Sequence, residues 1–313
     1  MKTNHMEMAK YPIRLKPQVR TAIWGRETWL VSGYPAQPSI VENGVYSGWT
    51  LPEMMEAFGT ELTGLGAQEG DRFPLLIKVI EADDRLSLQV HPSEATKDRC
   101  GGDPKTEMWY VLGGEDGACL FAGLKQGVSE ETLTASLHDG TAENAVERFN
   151  VQRGDVLFIP GGLVHAIGGG CRLYEVQQTS DTTWRLHDWN RVDSKTGKPR
   201  PLHEREGLAA IDWNLPPPTL LHDGAPSGET PLVECGHFTF SSIAASKPAT
   251  LGGKGGRCRI LFAEDGACTV AVDGGDGVQL SAGECVLIPA GVSVSIMPQP
   301  HARILSSIPG DAD

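Results

Sequence analysis

Short apolar runs rich in Val, Ile and Leu recur along the chain, most of them bounded by glycine or proline. The pattern predicts strands over 74–80, 86–90, 107–112, 118–124, 155–159, 173–178, 257–262, 268–272 and 285–288. Helical signals are fewer. Thr50 followed by Glu53 has the form of a capping box, with Gly59 as the expected stop. Ser129, followed by Glu130 and Glu131, opens a second capped segment that Gly140 closes. Few helices and many short strands favour a barrel or a sandwich.

One internal repeat stands out. Residues 154–162 and 283–291 both read glycine, acid, apolar strand, proline, small residue, glycine. A turn glycine launches a buried strand and a proline ends it. His165 lies eleven residues after Gly154, and Val294 lies at the same offset after Gly283. A polar group in the first copy is therefore apolar in the second. This suggests two related β domains of which only the first keeps a site. Leu215-Pro216-Pro217-Pro218 is the expected linker, because prolines hold it extended and deny it a ladder. The expected division is 1–215 and 216–313.

The 313 residues are ample for two domains, and 38 glycines and 21 prolines agree with a turn-rich β protein. The formal net charge of −13 argues against nucleic acid or an anionic membrane as partner. An anionic ligand would need a few local cations. The N-terminus is polar, unlike a signal peptide, and no apolar run approaches the length of a bilayer span. Seven scattered cysteines without a CxxC pair are expected as reduced thiols in the cytoplasm.

Three clusters carry chemistry. In Ser87-Leu88-Gln89-Val90-His91, alternate side chains share a strand face, so Ser87, Gln89 and His91 point one way. In Lys105-Thr106-Glu107-Met108-Trp109, Glu107 opens an apolar run where an unpaired carboxylate is costly. His165 lies between apolar neighbours just after the Pro160 turn. Taken singly, each has an ordinary structural reading: a wet edge strand, an exposed acid at a strand start, a satisfied core histidine. Taken together, two imidazoles, a carboxylate and a carboxamide form an N2O2 donor set that suits zinc, and also Mn, Fe or Co. Lys78 interrupts the apolar run 75–80 and needs a partner if it points inward. Asp181 has a bland alternative as a turn cap beside Thr182 and Thr183.

These motifs, with Glu175-Val176-Gln177-Gln178-Thr179-Ser180-Asp181-Thr182-Thr183-Trp184-Arg185 and Asp188-Trp189-Asn190-Arg191, resemble the type I mannose-6-phosphate isomerases of the short bacterial form. The likeness covers roughly residues 20 to 200 well and the C-terminal third weakly. It implies a mainly β fold of two cupin-like (jelly-roll) β-barrel domains with a few short helices, and one Zn2+ per chain. It implies Gln89, His91, Glu107 and His165 as metal ligands. Arg185, Lys105 and Asp181 match positions associated with catalysis, and Ser87 and Lys78 match positions associated with phosphate. The implied partner is a small sugar phosphate, with the chain a monomer or homodimer. Trp184 and His187 depart from the family's usual tyrosines and are expected in the site, where His187 is a third candidate base. Other metal-dependent cupin enzymes, and a sugar-phosphate-binding module without turnover, are the alternatives.

Overall fold

The computed structural model describes residues 7–68, 70–224, 226–252, 256–272, 275 and 277–311. The chain is mainly β, with few and short helices. Its contacts divide it into two compact units. One comprises the described parts of Met1–Gln18, Leu30–Leu76 and Gly224–Asp313; the other comprises Val19–Trp29 and Ile77–Asp223. The expected division at 215/216 treats each domain as one continuous stretch, whereas the chain visits each unit more than once. The proline segment is packed chain rather than a loose tether. A Cβ added at Gly123 would meet Pro217 Cα at 2.6 Å, and Leu215 and Leu220 pack against a buried apolar cluster of the second unit.

In the first unit, the helix Leu51–Thr63 begins at the expected capping box: Glu53 N–H donates to Thr50 Oγ1, and Thr50 N–H donates to Glu53 Oε2 at 2.7 Å. It continues past Gly59 and ends at Gly64, which is left-handed (φ 76°). Gly59 serves close packing instead, since a Cβ there would lie 2.7 Å from that of Ala67. Strands expected over 257–262 and 268–272 are one strand, Arg259–Val272, with register shifts between Ala263 and Asp265 and between Gly266 and Cys268. Gly266 has φ 70° and lies against the His301 carbonyl, so this glycine marks a bulge rather than a turn. The strand belongs to a nine-stranded sheet among the described residues.

The second unit holds the chemistry. Its larger sheet contains the strand Leu75–Ala82 (from Ile77 onward in this unit), Cys171–Gln178, Glu107–Gly114 and Asp155–Ile159 as consecutive neighbours. The other sheet orders Trp184–His187, Leu88–Val90, His165–Ile167, Cys119–Leu124 and Val146–Asn150. Trp109, Val111, Leu157, Ile159 and Leu173 of the larger sheet share one buried cluster with Leu120, Ala122 and Ile167 of the smaller. The sheets therefore pack face to face. Full burial of each large apolar side chain stabilises by about 1.5–3 kcal/mol. On its other face, the smaller sheet buries Leu88, Val90, Val164, Ala166 and Leu186. That face packs on Leu133 and Leu137 of the helix Glu130–Asp139 and on Ala210 of the helix Glu204–Ala210. Alternation along these strands then sends Gln89, His165 and Arg185 to the side facing the larger sheet.

The internal repeat holds locally. Gly154 (φ 90°) and Gly283 (φ 87°) launch Asp155–Ile159 and Cys285–Ile288. His165 and Val294, both 1% exposed, each open the next strand. The seven cysteines are unpaired. Among the described residues, no helix is long and apolar enough to cross a membrane.

Candidate metal centre and cleft

Gln89 is paired across the sheet with His165 on one side and Arg185 on the other. Glu107 enters from the facing sheet, and His91 follows the Gln89 strand. His91 Nε2 is 3.2 Å from His165 Nε2 and 3.4 Å from Glu107 Oε2. His165 Nε2 is 3.5 Å from Glu107 Oε1, and Gln89 Nε2 is 3.2 Å from His165 Nε2. His91, Glu107 and His165 are buried together, with their donor atoms mutually within 4.8 Å.

The donor chemistry fits a tetrahedral cation. Zinc bonds of about 2.0–2.1 Å place neighbouring ligand atoms about 3.3–3.4 Å apart, close to the separations above. His165 Nδ1–H donates to the Leu163 carbonyl at 2.8 Å, which leaves the Nε2 lone pair aimed into the cluster. Ser87 Oγ–H donates to Gln89 Oε1 at 3.2 Å. A half-turn of the Gln89 amide exchanges its oxygen and nitrogen and turns the oxygen lone pairs toward His165 Nε2 and the cluster. His91 Nδ1 and both Glu107 oxygens are buried without a well-aligned hydrogen bond. The Lys105 ammonium offsets the charge of Glu107, but buried polar atoms without an aligned hydrogen bond remain costly unless a further cation uses them.

Electrostatics point the same way. Burial, and then the Lys105 charge, push the His91 pKa down to about 3, so its imidazole is neutral. Burial also lowers that of His165. Burial opposes ionisation of Glu107, but the Lys105 ammonium beside it outweighs burial, and the carboxyl is held well below its usual range. Two neutral imidazoles and an ionised carboxylate are the protonation states a metal requires. Lys105 Nζ lies 2.7 Å from Glu107 Oε2 and 3.0 Å from His91 Nε2.

Above this cluster is a cleft of about 230 Å3. Gln89 and Lys105 line it and touch the buried triad, so they connect the two. Ser87, Lys78, Asp181 and Arg185 line it as well, so these expected site residues share one cavity with Gln89 and Lys105. Lys78 is already balanced: its Nζ lies 3.2 Å from Glu175 and 3.9 Å from Glu27. Burial disfavours the Lys78 charge, yet the two carboxylates outweigh it and raise the pKa. Asp181 is half-exposed and lies 3.6 Å from Arg20. Arg185 donates to the Pro201 carbonyl at 2.8 Å, while its Nε is buried and unpartnered.

Trp184 and His187, expected in the site, are not among the cleft-lining residues. Trp184 packs with Leu186 on the helix-facing side, and His187 packs edge-on to Trp189. Strand alternation turns Trp184 away, and the register shift between Arg185 and His187 places His187 opposite Leu88. The sequence reading missed Arg20, Glu27, Glu175 and Arg200 as lining residues. Glu175 was detectable as a lone acid in an apolar strand; Arg200, in an irregular segment, carried no periodic signal.

Residues 5–112 match the family model described as phosphomannose isomerase type I, catalytic domain. Mannose-6-phosphate isomerase ManA of Bacillus subtilis (strain 168) is 34% identical over 265 residues, covering 78% of this chain and 82% of that protein. The chain belongs to the type I phosphomannose isomerase family. A relative from Streptococcus mutans, also called mannose-6-phosphate isomerase, is 34% identical over 223 residues, 66% of this chain and 69% of its own. The crystal structure of the mannose 6-phosphate isomerase from Bacillus subtilis is similar with a TM-score of 0.78 at 26% identity, covering 95% of this chain and 99% of that one. A zinc-bound mannose 6-phosphate isomerase shares the fold, with a TM-score of 0.74 at 17% identity and coverage of 96% and 100%.

Proposed function

We propose that the chain is a zinc-dependent aldose–ketose isomerase that interconverts mannose 6-phosphate and fructose 6-phosphate, with one ion per chain. The observation that carries this reading is the convergence of Gln89, His91, Glu107 and His165 beneath a cation-lined cleft, in a chain whose relatives bear that name. These four residues hold the metal. A bound divalent cation supplies Lewis acidity toward negative charge on the sugar's O1 and O2.

The chain's own groups do the rest. A proton leaves the carbon next to the carbonyl, giving an enediolate, and returns at the neighbouring carbon. Lys105 or Asp181 handles that proton, since both line the cleft and match the positions that the family resemblance associates with catalysis. Arg185 places a fixed positive charge beside Gln89, where it stabilises the enediolate or an oxyanion of the substrate. Ser87 orients the Gln89 amide and faces the sugar. Lys78 contributes less to phosphate binding than its charge implies, because two carboxylates already balance it. The catalytic chemistry belongs to the second unit, and the equivalent of His165 in the repeat is Val294. We assign the protein to the cytoplasm from its free thiols, and its acidity argues against nucleic-acid or anionic-membrane partners; a monomer or homodimer is what the family resemblance implies.

The test is a coupled assay of mannose 6-phosphate turnover on protein of measured metal content. Turnover that disappears on chelation and returns with zinc supports the reading. Bound zinc without turnover refutes the isomerase and leaves a binding role. Arg185→Ala should lower turnover at least about 10-fold with the metal retained, as loss of a charge-assisted contact implies; unchanged turnover removes Arg185 from the mechanism.

A further inference from the structure

Arg200 lines the same cleft as Arg185, and the chain between them forms a clamp. Arg185 N–H donates to His203 Nδ1 at 3.2 Å, and the Arg185 guanidinium donates to the Pro201 carbonyl. Both contacts lie within three residues of Arg200. Arg200 is itself held by a buried carboxylate: its Nε donates to Asp188 Oδ2 at 2.8 Å and its Nη2 to Asp188 Oδ1 at 2.5 Å. Asp188 also accepts from Arg191 Nη2 at 2.6 Å. One carboxylate thus serves two guanidiniums, and Arg185 has no salt-bridge partner among the described contacts. Burial, and then the Arg200 charge, disfavour the charged form of Arg185. Like charges held together at a cavity wall call for an anion between them.

We propose that Arg200, together with Arg185, binds the phosphate of the substrate, and that Asp188 is a positioning residue that fixes the Arg200 fork. A guanidinium tied through one edge still offers donors along another, and its planar geometry suits phosphate oxygens. The assignment rests on the sugar-phosphate reading above and names the phosphate-recognising residue of that site.

The experiment compares wild type, Arg200→Met, Arg200→Lys, Asp188→Asn and Arg191→Met. Each is titrated with inorganic phosphate by calorimetry and assayed with mannose 6-phosphate and with unphosphorylated mannose. Arg200→Met should weaken phosphate binding and raise the KM for mannose 6-phosphate about 10- to 100-fold, the scale of a lost charge-assisted contact. Its preference for phosphorylated over free sugar should fall by the same factor. Arg200→Lys should recover part of the affinity, as a point charge without the fork. Asp188→Asn should follow Arg200→Met in direction with a smaller effect. Arg191→Met, which leaves the Asp188–Arg200 contact in place, should keep the wild-type phosphate affinity. Equal losses on both sugars with phosphate affinity unchanged would overturn the proposal, because that is the behaviour of a merely structural residue. Wild-type protein that binds phosphate through Arg200 but turns over neither sugar would refute the isomerase reading while keeping this subsite.

Discussion

The most informative perturbation of the buried cluster is Lys105→Met, which keeps the length of the side chain and removes its charge. Lys105 Nζ is 2.7 Å from Glu107 Oε2, and both side chains are almost fully buried, at 7% and 1% exposure. At an effective dielectric constant of about 20, that separation corresponds to roughly 6 kcal/mol of gross attraction. Desolvation of the ammonium offsets part of it. Breaking one side of a buried pair costs about 3–5 kcal/mol, because the remaining charge is uncompensated. Metal-free Lys105→Met should therefore be less stable than metal-free wild type by about that amount. A divalent cation on the same carboxylate supplies the missing charge, so zinc should stabilise the variant more than it stabilises wild type. Denaturant unfolding of chelated and zinc-loaded samples, followed by fluorescence and circular dichroism, measures both quantities. A loss below about 1 kcal/mol without metal, or an equal loss with and without it, would refute the argument that Glu107 depends on a neighbouring cation.

Three further outcomes follow from the same geometry. His165→Ala should abolish stoichiometric zinc while leaving far-ultraviolet circular dichroism unchanged; a variant that retains one metal per chain removes His165 from the ligand set. The chelated protein should lose stability as pH falls below about 6.5: with the native His91 pKa at about 3, the unfolded chain takes up that proton first. The His91 contribution lost by pH 5 is about 2 kcal/mol, and a stability flat between pH 7 and 5 would contradict the assigned neutral imidazole. Gly64→Ala should destabilise by roughly 1–3 kcal/mol, because the position is left-handed and an added Cβ meets the Gly256 carbonyl; a neutral effect on the unfolding midpoint would contradict that strain.

Much of the site was legible because its residues break the pattern of their own strands. Glu107, His165 and Lys78 are polar where their neighbours are buried and apolar. In the structure they share a strand face with the buried Trp109, Ile167 and Ile80, two residues along each strand. Capping residues were legible for a related reason, since Thr50 and Ser129 act within one turn of chain. Glycines were harder to read, because one residue type serves several purposes. Gly59 is a packing contact with Ala67, Gly64 is the helix cap, and Gly266 is a bulge, yet all three look like stops. Arg200 was illegible because it lies outside the ordered motifs, and Asp188, though inside one, gave no sign of its partner; only the fold joins the two beside Arg185. Trp184 shows the opposite error. It adjoins a cleft residue in sequence and faces the other side of the sheet.

The central claim is that the Gln89, His91, Glu107 and His165 cluster is the working metal site of a sugar-phosphate isomerase. The direct measurement is a zinc titration of fully chelated protein with mannose 6-phosphate turnover recorded at each addition. Turnover should rise in proportion to bound zinc and saturate at one ion per chain. Full turnover in chelated protein, or saturated zinc without turnover, would contradict the account.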